Sequence, residues 1–411
     1  MHLPPALRHR KYLYLWLGLL ISVAGSQMQI TAIHWHIREL TGEPNPLALG
    51  GIGLARILPV LFLSVFGGAM ADNYNRRAIL FITQSVLALQ ALALATLTFR
   101  GQITIWQIYA LTAIQAAAMA FDLPARQALV PNLVPREALS SAFSLTTVAF
   151  NFGAIVGPLL FAVVSAGGQG NAYLLNAGSF LAVLAALALM GRVPQDLNKA
   201  SGINLASIRD GAHFIASRPL ILSTMLMDFA ATFFASANTM LPIVARDILA
   251  VGRTGFAWLT SAEALGSVTA GLVVSQVRDF RRQGPIFLAS VGLFGLATAW
   301  FGLTRSFGLA MTALFLVGAG DAVSTVIRQT IRQLQTPDHI RGRMISINQV
   351  FFMGGPQLGE VEAGVVAALF SVPFAIVSGG IGCIVAMGLI VWKWPQLLTY
   401  NKDEPAALAA D

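Results

Sequence analysis

The feature that most limits what this chain can become is the recurrence of apolar runs long enough to cross a bilayer. From Leu47 to Ala71 the only ionisable residue is Arg56, and from Ala78 to Phe99 there is none. A helix rising 1.5 Å per residue needs about 20 apolar residues to span some 30 Å of hydrocarbon. Hydrophobic residues make up 56% of the 411-residue chain and charged ones 11%, against about 25% charged in a soluble globular protein. The chain therefore reads as an all-α, polytopic membrane protein. Twelve spans are expected, near 11–37, 47–71, 78–99, 103–122, 139–165, 172–191, 220–246, 255–277, 284–304, 307–331, 344–370 and 373–394.

The net charge of +8 raises the question of nucleic acid, and its placement answers it. With both termini in the cytoplasm, 20 of the 26 Lys and Arg residues fall on the cytoplasmic side. Only Arg38, Arg100, Arg246, Arg253 and Arg305 fall outside, and Arg56 lies within a span. The basic balance follows from the positive-inside rule, and no nucleic-acid partner is expected. The single cysteine, Cys383, excludes an intrachain disulfide. The N-terminal RHRKYLYLWLGLLISV runs on past the length of a signal peptide and lacks a small-x-small cleavage site, so it reads as the first span.

The long polar segment from Gly191 to Pro219 divides the chain into an N-terminal half (1–191), a cytoplasmic linker (192–219), a C-terminal half (220–395) and a tail (396–411). In the linker, Leu205, Ile208, Ala212 and Ile215 follow helical spacing, which suits a short amphipathic helix on the membrane face; its first part reads equally as a loose connection. The halves echo each other at an offset of 202 residues. That shift places Arg126-Gln127 on Arg328-Gln329, Pro135 on Pro337, Ser144 on Ser346, Phe150 on Phe352, Gly153 on Gly355 and Gly157 on Gly359. Two similar six-helix halves are the mark of a transporter built by duplication, with its substrate site near the midplane.

One stretch breaks the apolar pattern, GGAMADNYNRRAILF (Gly67–Phe81), between the second and third spans. Topology alone asks for arginines there but not for this order. Gly68, Ala71, Asp72, Arg76 and Arg77 resemble the G-x-x-A-D-x-x-x-R-[RK] signature of the major facilitator superfamily. The family pattern has a basic residue where this chain has Asn73 and a glycine where it has Asn75, a residue that tolerates a left-handed turn. FDLPARQALVPNLVPREAL (Phe121–Leu139) and RQLQTPDHIRGRMISINQVFFMGGPQLGE (Arg332–Glu360) are similar to the branch holding enterobactin exporters and macrolide-efflux proteins. The resemblance implies twelve helices in two pseudo-symmetric halves in a prokaryotic cytoplasmic membrane. It also implies a cytoplasmic gate in which Asp72 faces the backbone near Gly342 to Ile345, with Arg76 and Arg77 completing a latch.

Ionisable groups inside spans are costly and mark ion or substrate pathways. Here they are Arg56, Asp228, Glu263, Asp321, Glu360 and Glu362. No G-x-x-x-x-G-K-[ST] run points to ATP, so a proton-coupled carboxylate is sought. Asp321, mid-span in GAGDAVS, leads; Arg328, seven residues on and about 10 Å deeper, is expected to tune it without pairing directly. Asp228 is a second candidate, and Glu263 stands undecided between cavity and interface. Arg56 lies about 14 Å below the outer end of its span, and Glu360 and Glu362 about 15 and 12 Å below theirs. Those depths suit an outer gate between Arg56 and one of the two glutamates. The plain alternative in each case is a buried carboxyl or ion pair held for packing.

Gln27, Gln29 and Thr31 on the first span are placed to hydrogen-bond a substrate, and Phe229 and Phe233 to wall an apolar cavity; at helical spacing such residues also serve as core. His34 and His36 read as solvated at the outer boundary, and no residues have metal-ligand spacing. Gly153, Gly157 and Pro158 resemble part of an antiporter glycine-proline motif, although glycines four apart also serve close helix packing.

The function expected is secondary active export of amphiphilic small molecules, of drug, macrolide or siderophore type, by proton antiport and alternating access. A largely apolar cavity with a few acids suits such compounds better than sugars. An importer or uniporter of a nutrient or lipid is the alternative on the same fold, and a non-transporting receptor or scaffold the alternative of another class. The short tail after Trp394 counts against the last. No nucleophile–base or metal constellation suggests an enzyme. The partners expected are a small-molecule substrate, protons and the lipid bilayer, with no cofactor and the protein acting as a monomer.

Overall fold

The computed structural model describes residues 4–195, 213–276 and 282–401. Among them are twelve long helices and no strand. The long helices are α1 (Arg10–Leu40), α2 (Pro46–Asn73), α3 (Arg76–Phe99), α4 (Ile105–Leu129), α5 (Leu139–Val164), α6 (Gln169–Met190), α7 (Pro219–Phe234), α8 (Gly252–Gln276), α9 (Gln283–Leu303), α10 (Phe307–Leu334), α11 (Asp338–Leu369) and α12 (Val372–Lys393). Eleven helical stretches are long and apolar enough to cross a membrane. The other long helix, α11, carries more charge, but its 32 residues give it a length of about 48 Å. Large apolar side chains such as Phe62, Leu89, Val163 and Leu369 are more than 60% exposed, a surface that only lipid satisfies. The protein is a multi-pass membrane protein.

The chain divides into two compact units, one of Met1–Glu43 with Ala55–Ile203 and one of Pro44–Leu54 with Asn204–Asp411. In the first, α1 packs on α5 and α6, and α3 on α4 and α6. Tyr12, Leu15, Ile79, Leu80, Leu129 and Leu187 fill its largest core cluster. In the second, α10 packs on α8 and α9, α12 on α9, and both α11 and α12 on α7, around Met227, Phe287, Val291, Ile327 and Ile331.

The 202-residue echo has a packing meaning in each unit. A methyl group at Gly153 would sit 2.6 Å from Val23 Cγ1, and one at Gly157 2.5 Å from Gln27 Cβ, so both glycines seat α5 against α1. Their counterparts Gly355 and Gly359 do the same for α11 against α7, where a methyl would collide with Thr232 Oγ1 and the Phe233 carbonyl. Small residues on one face let helix backbones approach where lipid offers no hydrophobic drive for association.

Two local expectations are corrected. The seventh span is not one continuous helix. It stops at Phe234 and resumes through a 3-10 turn, Ala237–Met240, a short Leu241–Ile243 helix and a π-helical Val244–Ile248. Pro242 has no N–H and its ring crowds the carbonyl four residues back, while the Ser236 hydroxyl is drawn to the Thr232 and Pro356 carbonyls at 2.6 and 2.9 Å. Asn75 is not in a left-handed turn either. Its φ is −62°, and it caps α3 by accepting from the N–H groups of Arg77 and Ala78. Most of the amphipathic stretch in the linker lies outside the described residues; Ile215 is buried with Ile221, Met225 and Met344.

Candidate functional site

The densest set of buried charge is in the second unit. On α10, Asp321, Ser324, Arg328 and Arg332 are spaced three, four and four apart, which places them along one helical stripe. On α7, Thr224 and Asp228 are four apart and share a face. Asp228, 1% exposed, lies between two guanidiniums, with Oδ1 2.9 Å from Arg328 Nη2 and Oδ2 3.2 Å from Arg332 Nη2. Arg332 also donates to the Thr224 hydroxyl (3.2 Å), to the Thr224 carbonyl (2.8 Å) and to Asn348 Oδ1 on α11 (2.5 Å). Arg328 donates to Ser324 Oγ at 2.6 Å and reaches Asp321 Oδ1 at 3.4 Å.

That last pair corrects the expectation that Arg328 is too far from Asp321 for direct contact. Helical side chains lean towards the N-terminus of their own helix, and the long arginine stem recovers the separation that the axial rise suggests. The two acids differ sharply in setting. Asp228 is enclosed and doubly paired, whereas the Asp321 side chain is 41% exposed and keeps one longer pairing. The cluster matches two guanidiniums with two carboxyl groups. Buried ions survive only when paired and hydrogen-bonded in this way.

The first unit has its own buried acid. Asp122 on α4, 0% exposed, accepts from Thr83 Oγ1 at 2.8 Å and Gln84 Nε2 at 2.7 Å, both on α3, and pairs with Arg126 one turn on. Arg332 and Arg126 escaped the sequence reading because the spans were drawn too short, and Asp122 and Asn348, inside spans 103–122 and 344–370, were passed over. Ending the tenth at 331 and the fourth at 122 put Arg332 and Arg126 in loops. The i, i+4 spacings Asp122–Arg126 and Arg328–Arg332 were the available signal.

The remaining expected residues separate. Gln29 is fully buried and committed, accepting from Asn176 Nδ2 at 2.8 Å and donating to Gln90 Oε1 at 3.2 Å. Thr31 returns its hydroxyl to the Gln27 carbonyl at 2.9 Å. Of the three polar residues on α1, only Gln27 stays half-buried without such a commitment. Phe229 and Phe233 stack with centroids 5.8 Å apart, and Phe351 meets Phe229 edge-on. Glu263 accepts from Asn238 at 2.5 Å. His34 and His36 are buried rather than solvated: His34 Nδ1 donates to the Ile30 carbonyl at 2.8 Å, and His36 Nδ1 lies 3.0 Å from the Tyr173 hydroxyl.

In the loop motif, Gly68 has open space around it. Arg76 donates to the carbonyls of Ala71 and Ala128 and to Asn132, at 3.0, 2.9 and 2.8 Å. Arg77 donates to the Leu187 carbonyl at 2.7 Å. These bonds stay within the first unit, where they tie α3 to the ends of α4 and α6. The side chain of Asp72 and those of Gly342 and Arg343 lie outside the described residues. Arg56, Glu360 and Glu362 are all half-buried.

Two helical units, each with a buried ionic cluster, define a membrane transporter of the major facilitator class. The chain belongs within it to the transmembrane secretion effector family, which it matches over residues 3–406. It is 23% identical over 413 residues to the enterobactin exporter EntS of Shigella boydii serotype 4, covering 98% of this chain and 96% of that one. The Escherichia coli O1:K1 EntS is 24% identical over 350 residues, with 84% and 83% covered. Solved structures with the same fold include an inward-facing bacterial homologue of the human lysosomal transporter Spinster (TM-score 0.72, 13% identity, 97% of each chain). Another is a POT family transporter bound to 5-aminolevulinic acid (TM-score 0.73, 12% identity, 93% of this chain and 96% of that one). The protein is thus a transporter and not an enzyme.

Proposed function

We propose that the protein exports amphiphilic small molecules from the cytoplasm, with both termini cytoplasmic, by proton antiport through a monomer, and that Asp321 is the carboxylate that exchanges the proton. The relatives named as enterobactin exporters support the direction and a siderophore- or drug-like cargo. The observation that carries the coupling assignment is the contrast between two acids sharing one arginine. Asp228 is sealed between Arg328 and Arg332; Asp321 is open and held by two longer contacts, from Arg328 and from the Thr325 hydroxyl, each at 3.4 Å.

Protonation of Asp321 removes one negative charge from a neutral set, and Arg328 then answers to Asp228 alone. Uptake of a proton is thereby felt on α7 and α10 together, and release restores the neutral arrangement. A cationic or polar cargo group competes with the proton for the same open carboxylate, which is the condition for antiport. In this reading Arg56, Glu360 and Glu362 serve the outer gate, and Gly68, Asp72, Arg76 and Arg77 the cytoplasmic one. Gln27, Phe229 and Phe233 are the cavity residues, and Glu263 is a secondary proton site.

The test uses inside-out vesicles with an acid lumen and a fluorescent pH dye. Lipophilic cations, macrolides and siderophores are added in turn to wild type and to Asp321→Asn. Substrate-triggered loss of luminal protons that disappears in Asp321→Asn is the expected result. Substrate flux without proton movement in the wild type refutes antiport; proton movement that survives in Asp321→Asn refutes the assignment of the carboxylate.

A further inference from the structure

Among the described residues, Arg126 has fewer polar partners than either arginine of the second unit's cluster. Its side chain is 9% exposed, and among the described residues its polar partner is Asp122. Arg332, by comparison, donates to four acceptor atoms. A guanidinium has five N–H donors, more than one carboxylate can engage. Arg126 lines a cavity of about 270 Å³ between α1, α4 and α5, inside the first unit.

The walls of that cavity are aromatic and fixed. Tyr12 and Trp16 line it from α1 and Phe143 and Phe150 from α5. The Tyr12 hydroxyl donates to the Ala142 carbonyl at 2.7 Å, and the Trp16 indole N–H to the Leu145 carbonyl at 2.8 Å. Both rings are thus held as rigid panels, with their own polar atoms already satisfied. A volume just under the ~300 Å³ of the smallest drug-sized pockets admits one or two fused rings.

Charge decides the rest of the specification. Asp122 already neutralises Arg126, and Thr83 and Gln84 hold Asp122 in place. A second carboxylate would leave the buried set with a net negative charge, and an ammonium with a net positive one; each carries a desolvation penalty without a matching counter-charge. We propose that the cavity between α1, α4 and α5 is a binding site for an uncharged aromatic group bearing an oxygen acceptor, such as an aryl amide, with Arg126 as its hydrogen-bond donor. The site is independent of Asp321, and its test is an equilibrium measurement that needs no gradient.

Full-length protein in lipid nanodiscs, with empty nanodiscs subtracted, is titrated with three probes of one shape: 2-naphthamide, 2-naphthoate and 2-naphthylmethylammonium. The amide binds saturably and at least tenfold more tightly than either charged probe. Thr147 lines the cavity from an exposed position on α5, so Thr147→Trp fills the space without touching the core and weakens the amide at least tenfold. Arg126→Lys keeps a cation for Asp122 but loses the fork of donors, and also weakens the amide tenfold. Absence of saturable amide binding overturns the proposal, as does a preference for 2-naphthoate or the ammonium. Amide affinity unchanged in Thr147→Trp overturns the location, whatever Arg126→Lys does to folding.

Discussion

Replacing Asp228 by asparagine separates the structural acid of the second unit from the proposed working one. The substitution removes the carboxylate that stands 2.9 Å from Arg328 and 3.2 Å from Arg332. It leaves a net positive charge among groups that are 3% exposed or less. Breaking a buried pair by deleting one partner costs roughly 3–5 kcal/mol. For a unit of about 200 residues, each kcal/mol lowers the melting temperature by about 2–4 °C, so Asp228→Asn is expected to melt roughly 6–20 °C below wild type. Asp321→Asn removes only an open 3.4 Å pairing, worth about 0–1 kcal/mol, and is expected to fall by no more than about 4 °C. Cys383, the single cysteine and buried, makes the assay direct: a thiol-reactive dye reports its exposure as the detergent-solubilised protein is heated. The double substitution Asp228→Asn with Arg328→Gln returns the cluster to neutrality through Arg332 and Asp321, and recovers at least half of the lost stability. Equal losses for Asp228→Asn and Asp321→Asn, or a double variant less stable than Asp228→Asn alone, would refute the division of labour between the two acids.

Two further outcomes follow from packing and from the loop motif. Gly157→Ala and Gly359→Ala insert a methyl where α1 and α7 leave no room, and each is expected to lose about 1–3 kcal/mol, whereas Gly68→Ala, with open space around it, leaves the unfolding temperature unchanged; thermal unfolding followed by tryptophan fluorescence distinguishes them, and a neutral Gly359→Ala contradicts the close approach. Arg76→Gln loses donors to Ala71, Ala128 and Asn132, hydrogen bonds from a charged group with a net worth of about 1.5–3 kcal/mol each; faster proteolysis near the start of α3 and the end of α4 is expected, and a variant as resistant as wild type would show that these bonds hold nothing in place.

The architecture was legible because apolar run length, charge placement and the 202-residue echo are all properties of the bilayer as solvent, and each can be read one residue at a time. The ionic sites were legible only in part. Asp228 and Asp321 stand out as acids in apolar sequence and Arg328 as a neighbour of Asp321, but Arg332 looks like an ordinary cytoplasmic charge until α10 is seen to continue to Leu334. A longer extension, from 122 to Leu129, hides Arg126 on α4, the partner that gives Asp122 its role. Hydropathy ends a helix where polarity begins, whereas hydrogen bonding carries it on as long as each polar side chain finds a partner. The broken seventh span failed for the opposite reason: Ala235 to Met240 are apolar or small enough to pass as helix, and only Pro242 warned of the interruption.

The echoed arginines show how duplication and specialisation combine. Arg126 and Arg328 occupy equivalent positions, and the glycines that follow them, Gly153 and Gly157 against Gly355 and Gly359, do equivalent work in each unit. The acids around the arginines are not equivalent. The first unit places its carboxylate one turn before the arginine, at Asp122, and closes it with Thr83 and Gln84; the second has Ser324 at that position and draws its acids from Asp228 on α7 and Asp321 two turns back. A carboxylate locked on both oxygens can hold an arginine in place but cannot release it, so the first cluster is suited to presenting Arg126 to a ligand. A guanidinium shared between a locked acid and an open one has two settings, one for each charge state of the open acid. On the readings proposed above, unequal clusters on a repeated scaffold give one unit a fixed donor and the other a carboxylate that exchanges a proton.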